Sequence, residues 1–310
     1  MVPRERRDHV PAPAAPAERV EYFRPHQRAV MIGVMVLPRI SIVIPCRNGA
    51  KYLERAIDSL LGQAYPNLEL IVMDGGSTDG SLEILRRNEG RFAYWTSGPD
   101  GGQAAAINAG FARATGEVMG WLNSDDMLAP WAFDVLADVF GSCRGVRWLT
   151  GMRGVWDGDD RLVGVDGRRA SYPAFLIRHG FFQDGALGFI QQESTFWRRD
   201  LWEEAGSKVD ERFPMAFDFE LWTRFARHAE LAVVPTVLGG FRYHGDQKTG
   251  REPDRYLREV EAVLAGAAWV PRIAGTFLRR PWPILSAFWK GPLVEYDLRA
   301  NRWNLSGGGA

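Results

Sequence analysis

Apolar residues come in two rhythms over the first half of the chain, and their alternation predicts an open sheet. Residues 40–44, I-S-I-V-I, form a β-branched run stopped by Pro45, the pattern of a buried parallel strand. Over 51–63, Leu53, Ala56, Ile57, Leu60 and Leu61 recur at i, i+3, i+4, i+7 and i+8, one face of a helix. Residues 68–73 predict a second strand ending at Asp74. The turn G-G-S-T-D-G-S follows over 75–81, then a helix running to 88. A loop at 95–103 feeds a helix over 104–114, and 117–122 reads as a further buried strand. Strand, helix, strand, helix with short loops specifies a parallel sheet with right-handed crossovers.

Beyond Pro130 the rhythm loosens. A helix is expected over 131–140, a strand over 146–150, and a hairpin turn at 156–160. Asp157, Asp159 and Asp160 in that turn lack the spacing and the glutamate of a calcium loop, and read as a solvated turn. Order returns with a strand over 189–198, a helix over 200–205 and a loop over 210–216. Asp218 then opens a helix whose apolar face is Leu221, Trp222, Phe225 and Ala226. Two further strands are expected, a short one over 231–234 and another from Phe241 running into a polar loop that ends near Thr249.

The composition narrows the partners. Of 310 residues, 46% are apolar and 25% charged, ordinary for a globular protein. Lys plus Arg and Asp plus Glu both total 38, so no nucleic-acid partner is expected. Cys46 and Cys143 are too few for a disulfide framework and point to a reducing, cytoplasmic setting. No run reaches the roughly 18–20 apolar residues that span a bilayer. Residues 1–29 are rich in Pro, Ala and Arg without periodicity, so 1–37 is expected to be a disordered extension.

Polar residues stand where the predicted strands end: Asn48 after the first, Asp74 at the second, Asn123-Ser124-Asp125-Asp126 after the strand at 117–122. Strand ends of an open α/β sheet gather on one edge, where ligands bind. Adjacent carboxylates there suit Mg²⁺ or Mn²⁺, hard cations that take oxygen donors together with substrate phosphates. Ser124 or Asp125 could equally cap the next helix. The residues alone leave both readings open.

Taken in order, I-S-I-V-I-P-C-R-N-G-A, V-M-D-G-G-S-T-D-G-S, Gly98-Pro99-Asp100, G-E-V-M-G-W-L-N-S-D-D, Q-Q-E-S-T-F-W-R-R, F-D-F-E-L-W and Y-H-G-D-Q-K-T resemble the inverting glycosyltransferases of family 2. The resemblance covers about two-thirds of the chain. It implies the α/β GT-A fold over 38–250, with a donor-binding half at 38–127 and an acceptor half at 128–250. It further implies that Pro45, Arg47 and Asn48 lie beside the nucleotide of a nucleotide-sugar donor, a UDP-sugar being favoured. By the same resemblance Asp74 hydrogen-bonds the base, and Asp100, Gln103 and Asn108 close over donor and sugar. Asn123, Ser124 and Asp125 match the metal motif, with Asp125 and Asp126 holding Mn²⁺ or Mg²⁺ and His244 completing that site. Asp218 matches the catalytic base, and Gln191 and Gln192 line the acceptor side. Two departures stand out. Asn123 replaces the motif's first carboxylate and brings no charge. Arg47 stands where the family often has an aromatic residue, though a guanidinium plane can also stack on a base.

The implied chemistry is transfer to a hydroxyl of a glycan, polysaccharide repeat or lipid-linked saccharide. Lys248 and the helix start near Gly101 are expected to help hold the diphosphate. The competing readings are a nucleotidyltransferase-like enzyme, whose basic glycine-rich loop Pro45-Cys46-Arg47-Asn48 does not match, and a non-catalytic nucleotide-sugar-binding protein. Residues 150–190 are expected to supply the acceptor surface. Residues 251–310 are expected to form a helical tail. Within it, 262–294 holds no acidic residue and interleaves Arg272, Arg279, Arg280 and Lys290 with aromatics. That suits peripheral contact with an anionic membrane, a helical subdomain packed on the catalytic domain, or a dimer contact.

Overall fold

Four parallel strands build the first half of the sheet: β1 (Ile40–Cys46), β2 (Leu68–Asp74), β3 (Tyr94–Ser97) and β4 (Val118–Trp121). The computed structural model describes residues 37–166, 171–183, 186–244, 252–265, 274, 277, 278 and 291–307. All fall within one unit of the chain, Val36–Ala310. The expected extension at 1–37 therefore lies, but for Leu37, outside the described residues, as do Lys248 and most of 262–294.

Helices α1 (Ala50–Leu61), α2 (Ser81–Asn88) and α3 (Gln103–Phe111) connect these strands. Strand alternation divides the core between two faces. Ile40, Ile42 and Ile44 pack with Leu53, Ile57 and Leu60 of α1, whereas Val43 packs with Ile107 and Phe111 of α3. The chain moves outward from β1 to β2 and β3. It then returns through α3 to place β4 on the other side of β1. That reversal makes a crevice at the carboxyl ends of β1 and β4, the usual ligand position in such sheets.

Contact between α3 and the sheet depends on Gly110. A Cβ there would lie 2.5 Å from Val43 Cγ1 and 3.3 Å from Met73 Cγ. Both neighbours are buried strand residues with nowhere to go. Gly110→Ala is expected to destabilise the fold by about 1–3 kcal/mol through overpacking. A fall in urea midpoint at unchanged slope would show it.

The second half adds mixed strands: β5 (Met127–Leu128), β6 (Trp148–Trp156), β7 (Leu162–Val165), β8 (Thr195–Arg198) and β9 (Leu231–Arg242). Strand β8 runs antiparallel between β4 and β6, β9 lies parallel to β6, and β6 and β7 form the expected hairpin. Helices α4 (Ala132–Ser142), α5 (Ala174–Arg178), α6 (Arg199–Glu204) and α7 (Phe217–Phe225) complete this half. The described architecture is α/β, a mostly parallel central sheet flanked by helices.

Three expectations change. Residues 189–198 are not one strand: a 3-10 turn, Gln192–Ser194, precedes β8. The polar run Q-Q-E-S is buried, and side chains meet its neighbours' backbone groups directly. Gln191 exchanges two hydrogen bonds with the backbone of Gly154, and Gln192 Nε2 donates to Trp121 O. The two strands expected at 231–234 and from Phe241 are one, β9. Gly239 and Gly240 are close-approach positions in it rather than a break. A Cβ on Gly239 would come 2.1 Å from Glu193 O. Finally, the tail is not wholly helical. After α8 (Pro253–Val263), strands β10 (Leu293–Asp297) and β11 (Arg302–Ser306) form a hairpin that joins β9 through Leu293 and Val233. Its alternation, with Val294 buried between half-buried Leu293 and exposed Glu295, is that of a strand.

Candidate active site

The turns after β1 and β2 lock each other at the carboxyl edge of the sheet. Asn48 adopts a left-handed conformation, φ 54°. Its Oδ1 accepts from Thr78 N at 2.8 Å, and its own N–H donates to Ser77 Oγ at 2.7 Å. The amino end of α1 lacks a capping side chain of its own. Ser81 Oγ accepts from Gly49 N instead, and Asp79 Oδ2 accepts from Ala50 N at 2.9 Å. The G-G-S-T-D-G-S turn thus serves as the missing cap.

Asp74 is the hub of this turn. It is 3% exposed. Its Oδ2 accepts from Gly76 N, Ser77 N and Ser97 Oγ, and its Oδ1 from Ser77 Oγ. Pro45 is buried behind it and Arg47 is exposed at the rim. Asp100 is exposed, accepts from Gly102 N, and closes on Gly75, where a Cβ would meet its Oδ2 at 2.8 Å. Gly75 therefore cannot carry a side chain without moving the Asp100 loop. Ser124 similarly overlies Gly49.

Asn108 does not join this group. Its amide exchanges hydrogen bonds with the backbone of Val209, and its Nδ2 also donates to Glu211 Oε1 at 2.8 Å. The side chain expected to close over the donor is instead occupied in anchoring the loop before α7.

From Gln103 a polar chain crosses to the acceptor half. Gln103 Nε2 donates to Asn123 Oδ1 at 2.8 Å, and Asn123 Nδ2 donates to Asp126 Oδ2 at 3.0 Å. The amide at 123 thus bridges two partners in a way that a carboxylate, an acceptor only, could not. Strand β5 pairs with Gly239 and Gly240, which carries the Asp125-Asp126 turn to the end of β9. There Arg242 N donates to Asp126 Oδ1 and Arg242 Nε to Asp125 O, at 2.8 and 2.7 Å.

The two adjacent carboxylates consequently have different environments. Asp125 is about one-third exposed, with its Oδ2 3.0 Å from His244 Nε2. The His244 ring lies against Tyr52, centroids 4.9 Å apart. Asp126 is 1% exposed and hydrogen-bonded to Glu193, itself buried. Burial pushes both carboxyls upward. The charges of Glu193 and Asp125 add to this at Asp126, and those of Asp218 and Asp125 at Glu193. Asp126 is already engaged by Arg242 N, Asn123 and Glu193, so Asp125 is the more accessible of the two carboxylates expected to hold a cation. Among the described residues no three His, Cys, Asp or Glu side chains cluster as a metal site. Asp125 and His244 do fit a cation that takes its remaining ligands from a bound diphosphate.

Asp218 sits in the first turn of α7, half-buried, its Oδ1 accepting from Phe219 N at 2.7 Å. Burial pushes its carboxyl up to about 6. No ion pair to it is found among the described residues, and Glu193 is close enough to feel both Asp218 and Asp125.

Four site residues escape a reading of the sequence. Arg242 is fully buried, donates to Asp157 O and to the Asp160 carboxylate, and stacks over Tyr52 at 4.6 Å. Asp160 also pairs with Arg55, so it is an ion-pair anchor and not a solvated turn residue. Tyr52 is buried beneath Arg242 and His244. Glu193 is the fourth. Its signal was a carboxylate inside an apolar run, F-I-Q-Q-E-S-T-F-W; for Arg242 it was a cation on the inward parity of β9.

Comparison with known proteins identifies the family and the fold. Residues 41–146 match the model of glycosyl transferase family 2. An uncharacterised glycosyltransferase of Mycobacterium tuberculosis is 33% identical over 227 residues, 73% of this chain and 83% of the relative. One from Rickettsia typhi is 40% identical over 237 residues, 74% of this chain and 71% of the relative. Among solved structures, Staphylococcus aureus TarS with UDP-GlcNAc superposes with TM-score 0.59 at 16% identity, over 79% of this chain and 73% of TarS. A Pyrobaculum calidifontis mannosyltransferase with GDP-Man and Mn²⁺ gives 0.54 at 21% identity, over 81% and 73%. At such identities these structures show a shared GT-A fold.

Proposed function

Because the chain belongs to glycosyl transferase family 2 and is a glycosyltransferase, we propose that it transfers sugar from a nucleotide-sugar donor by one inverting displacement, with Asp218 as base. The observation that carries this reading is the place of Asp218, in the first turn of α7 beside the Glu193–Asp126 pair, where burial pushes its carboxyl up to about 6. A base needs an affinity for protons near the working pH, and an ordinary aspartate has too little.

In this reading the acceptor hydroxyl gives its proton to an Asp218 oxygen as its own oxygen bonds to the anomeric carbon. The bond from that carbon to the diphosphate breaks, and its electron pair leaves with the diphosphate. The acceptor enters opposite the leaving group, so configuration inverts. Asp74, its turn and Arg47 hold the nucleotide, Asp100 and Gln103 border the donor, and Asn123 with Ser124 supports the diphosphate end. A UDP-sugar is our choice of donor; of two neighbours that share the fold, one holds UDP-GlcNAc and the other GDP-Man. Asp125 and His244 would hold Mn²⁺ or Mg²⁺, which would neutralise charge on the departing diphosphate. The acceptor is a glycan, polysaccharide repeat or lipid-linked saccharide. Two free buried thiols, Cys46 and Cys143, support a reducing, cytoplasmic site of action. Among the described residues no helix is long and apolar enough to cross a membrane.

The test is release of nucleoside diphosphate from a panel of nucleotide sugars with Mn²⁺, followed across pH. The base works only when ionised, so kcat/KM should rise through a midpoint at about 6. Chelation should abolish the release. No release from any donor would remove the function, and an acid limb near pH 4 would remove Asp218 as base.

A further inference from the structure

Every residue from 190 to 197 is buried, yet the aromatic at the head of this run, Phe189, is 48% exposed. A single exposed phenylalanine ordinarily calls for no explanation. This one is flanked by residues fixed in the core and carries a cation against its ring. Behind it, Ile190 enters the core, Gln191 is clamped on both sides of the Gly154 peptide, and Gln192 is tied to Trp121 O. Before it, Gly188 takes a positive φ of 103°. Beside it, the Arg153 guanidinium lies 5.2 Å from the ring centroid and is itself fixed by an ion pair with Asp166.

Phe189 also stands near the site's buried carboxyls along the chain. Glu193 is four positions on, a length of chain that spans at most about 14 Å. Glu193 bonds to Asp126 and feels Asp218. On the neighbouring strand, Arg153 stands three residues before Trp156, which pairs with Arg242. Phe189 and Arg153 thus belong to the β6–β8 side of the sheet, the half expected to receive the acceptor, and not to the nucleotide turns at the ends of β1 and β2.

We infer that Phe189, braced by Arg153, is the platform on which a pyranose ring of the acceptor stacks, so that the acceptor is a saccharide. The inference rests on the transferase reading above. An aromatic face carries negative potential, and the C–H-rich face of a pyranose offers weakly positive hydrogens to it. Orientation is already fixed by Arg153 and Gln191, so stacking costs little side-chain entropy. The platform selects a ring by its flat apolar face and leaves its hydroxyls free for Asp218.

The test compares wild type, Phe189→Ala and Phe189→Trp in two reactions of the full chain with Mn²⁺. One is hydrolysis of the donor sugar by water; the other is transfer to a panel of methyl pyranosides and disaccharides. Phe189→Ala should raise KM for the accepted saccharide about tenfold or more, with donor hydrolysis unchanged. Phe189→Trp should restore the wild-type KM. An unchanged acceptor KM in Phe189→Ala overturns the platform. So does transfer to long-chain alcohols but to no saccharide, which would mark an apolar acceptor. Absence of donor hydrolysis in wild type would instead refute the transferase reading itself.

Discussion

Asn in place of Asp218 is expected to lower the turnover of sugar transfer about 10²–10⁴-fold, the usual range for a lost general base. Donor affinity should not change. The substitution keeps the side chain's shape, and its Oδ1 can still accept from Phe219 N. It removes only the carboxylate that we propose takes the acceptor proton. Stability should move the other way. The folded-state pKa of about 6 exceeds that of an unfolded aspartate. The folded chain therefore binds more protons between about pH 4 and 6, and the stability this carboxyl contributes below that window is lost as pH rises through it. At pH 7 the wild type carries a buried charge that Asn does not. Asp218→Asn should melt at an equal or higher temperature than wild type while losing activity. A variant that loses both would have been folded by Asp218, not catalysed by it.

The second large effect is structural. Arg242→Met is expected to destabilise the protein by about 3–5 kcal/mol, the cost of removing one partner from a buried ionic network. Methionine fills the space over Tyr52. It cannot replace the hydrogen bonds to Asp125 O and Asp157 O or the pair with Asp160. Because His244 follows two residues after Arg242, the last residue of β9, the variant should also lose affinity for Mn²⁺ and donor at temperatures where it remains folded. Arg242→Lys should recover little, since an ammonium cannot reach three acceptors lying in different directions from one planar group. Thermal unfolding measures the first effect, at roughly 2–4 °C per kcal/mol for a chain of this size. Donor titration measures the second.

The parts of this enzyme that were legible in the sequence are those governed by local period. The I-S-I-V-I run, the one-faced helix after it and the V-M-D-G-G-S turn are each set by neighbours within a few residues, and they appear as β1, α1 and the Asp74 hub. Asp74 and Asp125 stand at strand ends because open α/β sheets put polar residues there. What the sequence hid depends on distant pairing. Gly239 and Gly240 look like a chain break but are places where β9 must pass against Glu193 and Gly154. Asn108 looks like a donor contact, yet its partner is Val209, a hundred residues on. The difference between Asp125 and Asp126 is invisible locally, since only the approach of β9 and the 3-10 turn buries one and leaves the other open. Asp160 looks solvated in the sequence for the same reason; Arg242 and Arg55, which hold it, come from opposite ends of the domain.

A single displacement with Asp218 as base leaves a direct signature in the configuration of the first product. With water in the acceptor's place, the donor sugar released by the enzyme can be followed by proton NMR before its anomers equilibrate. The sugar should first appear with anomeric configuration opposite to that of the donor, in wild type but not in Asp218→Asn. A product that first appears with the donor's own configuration would contradict the account.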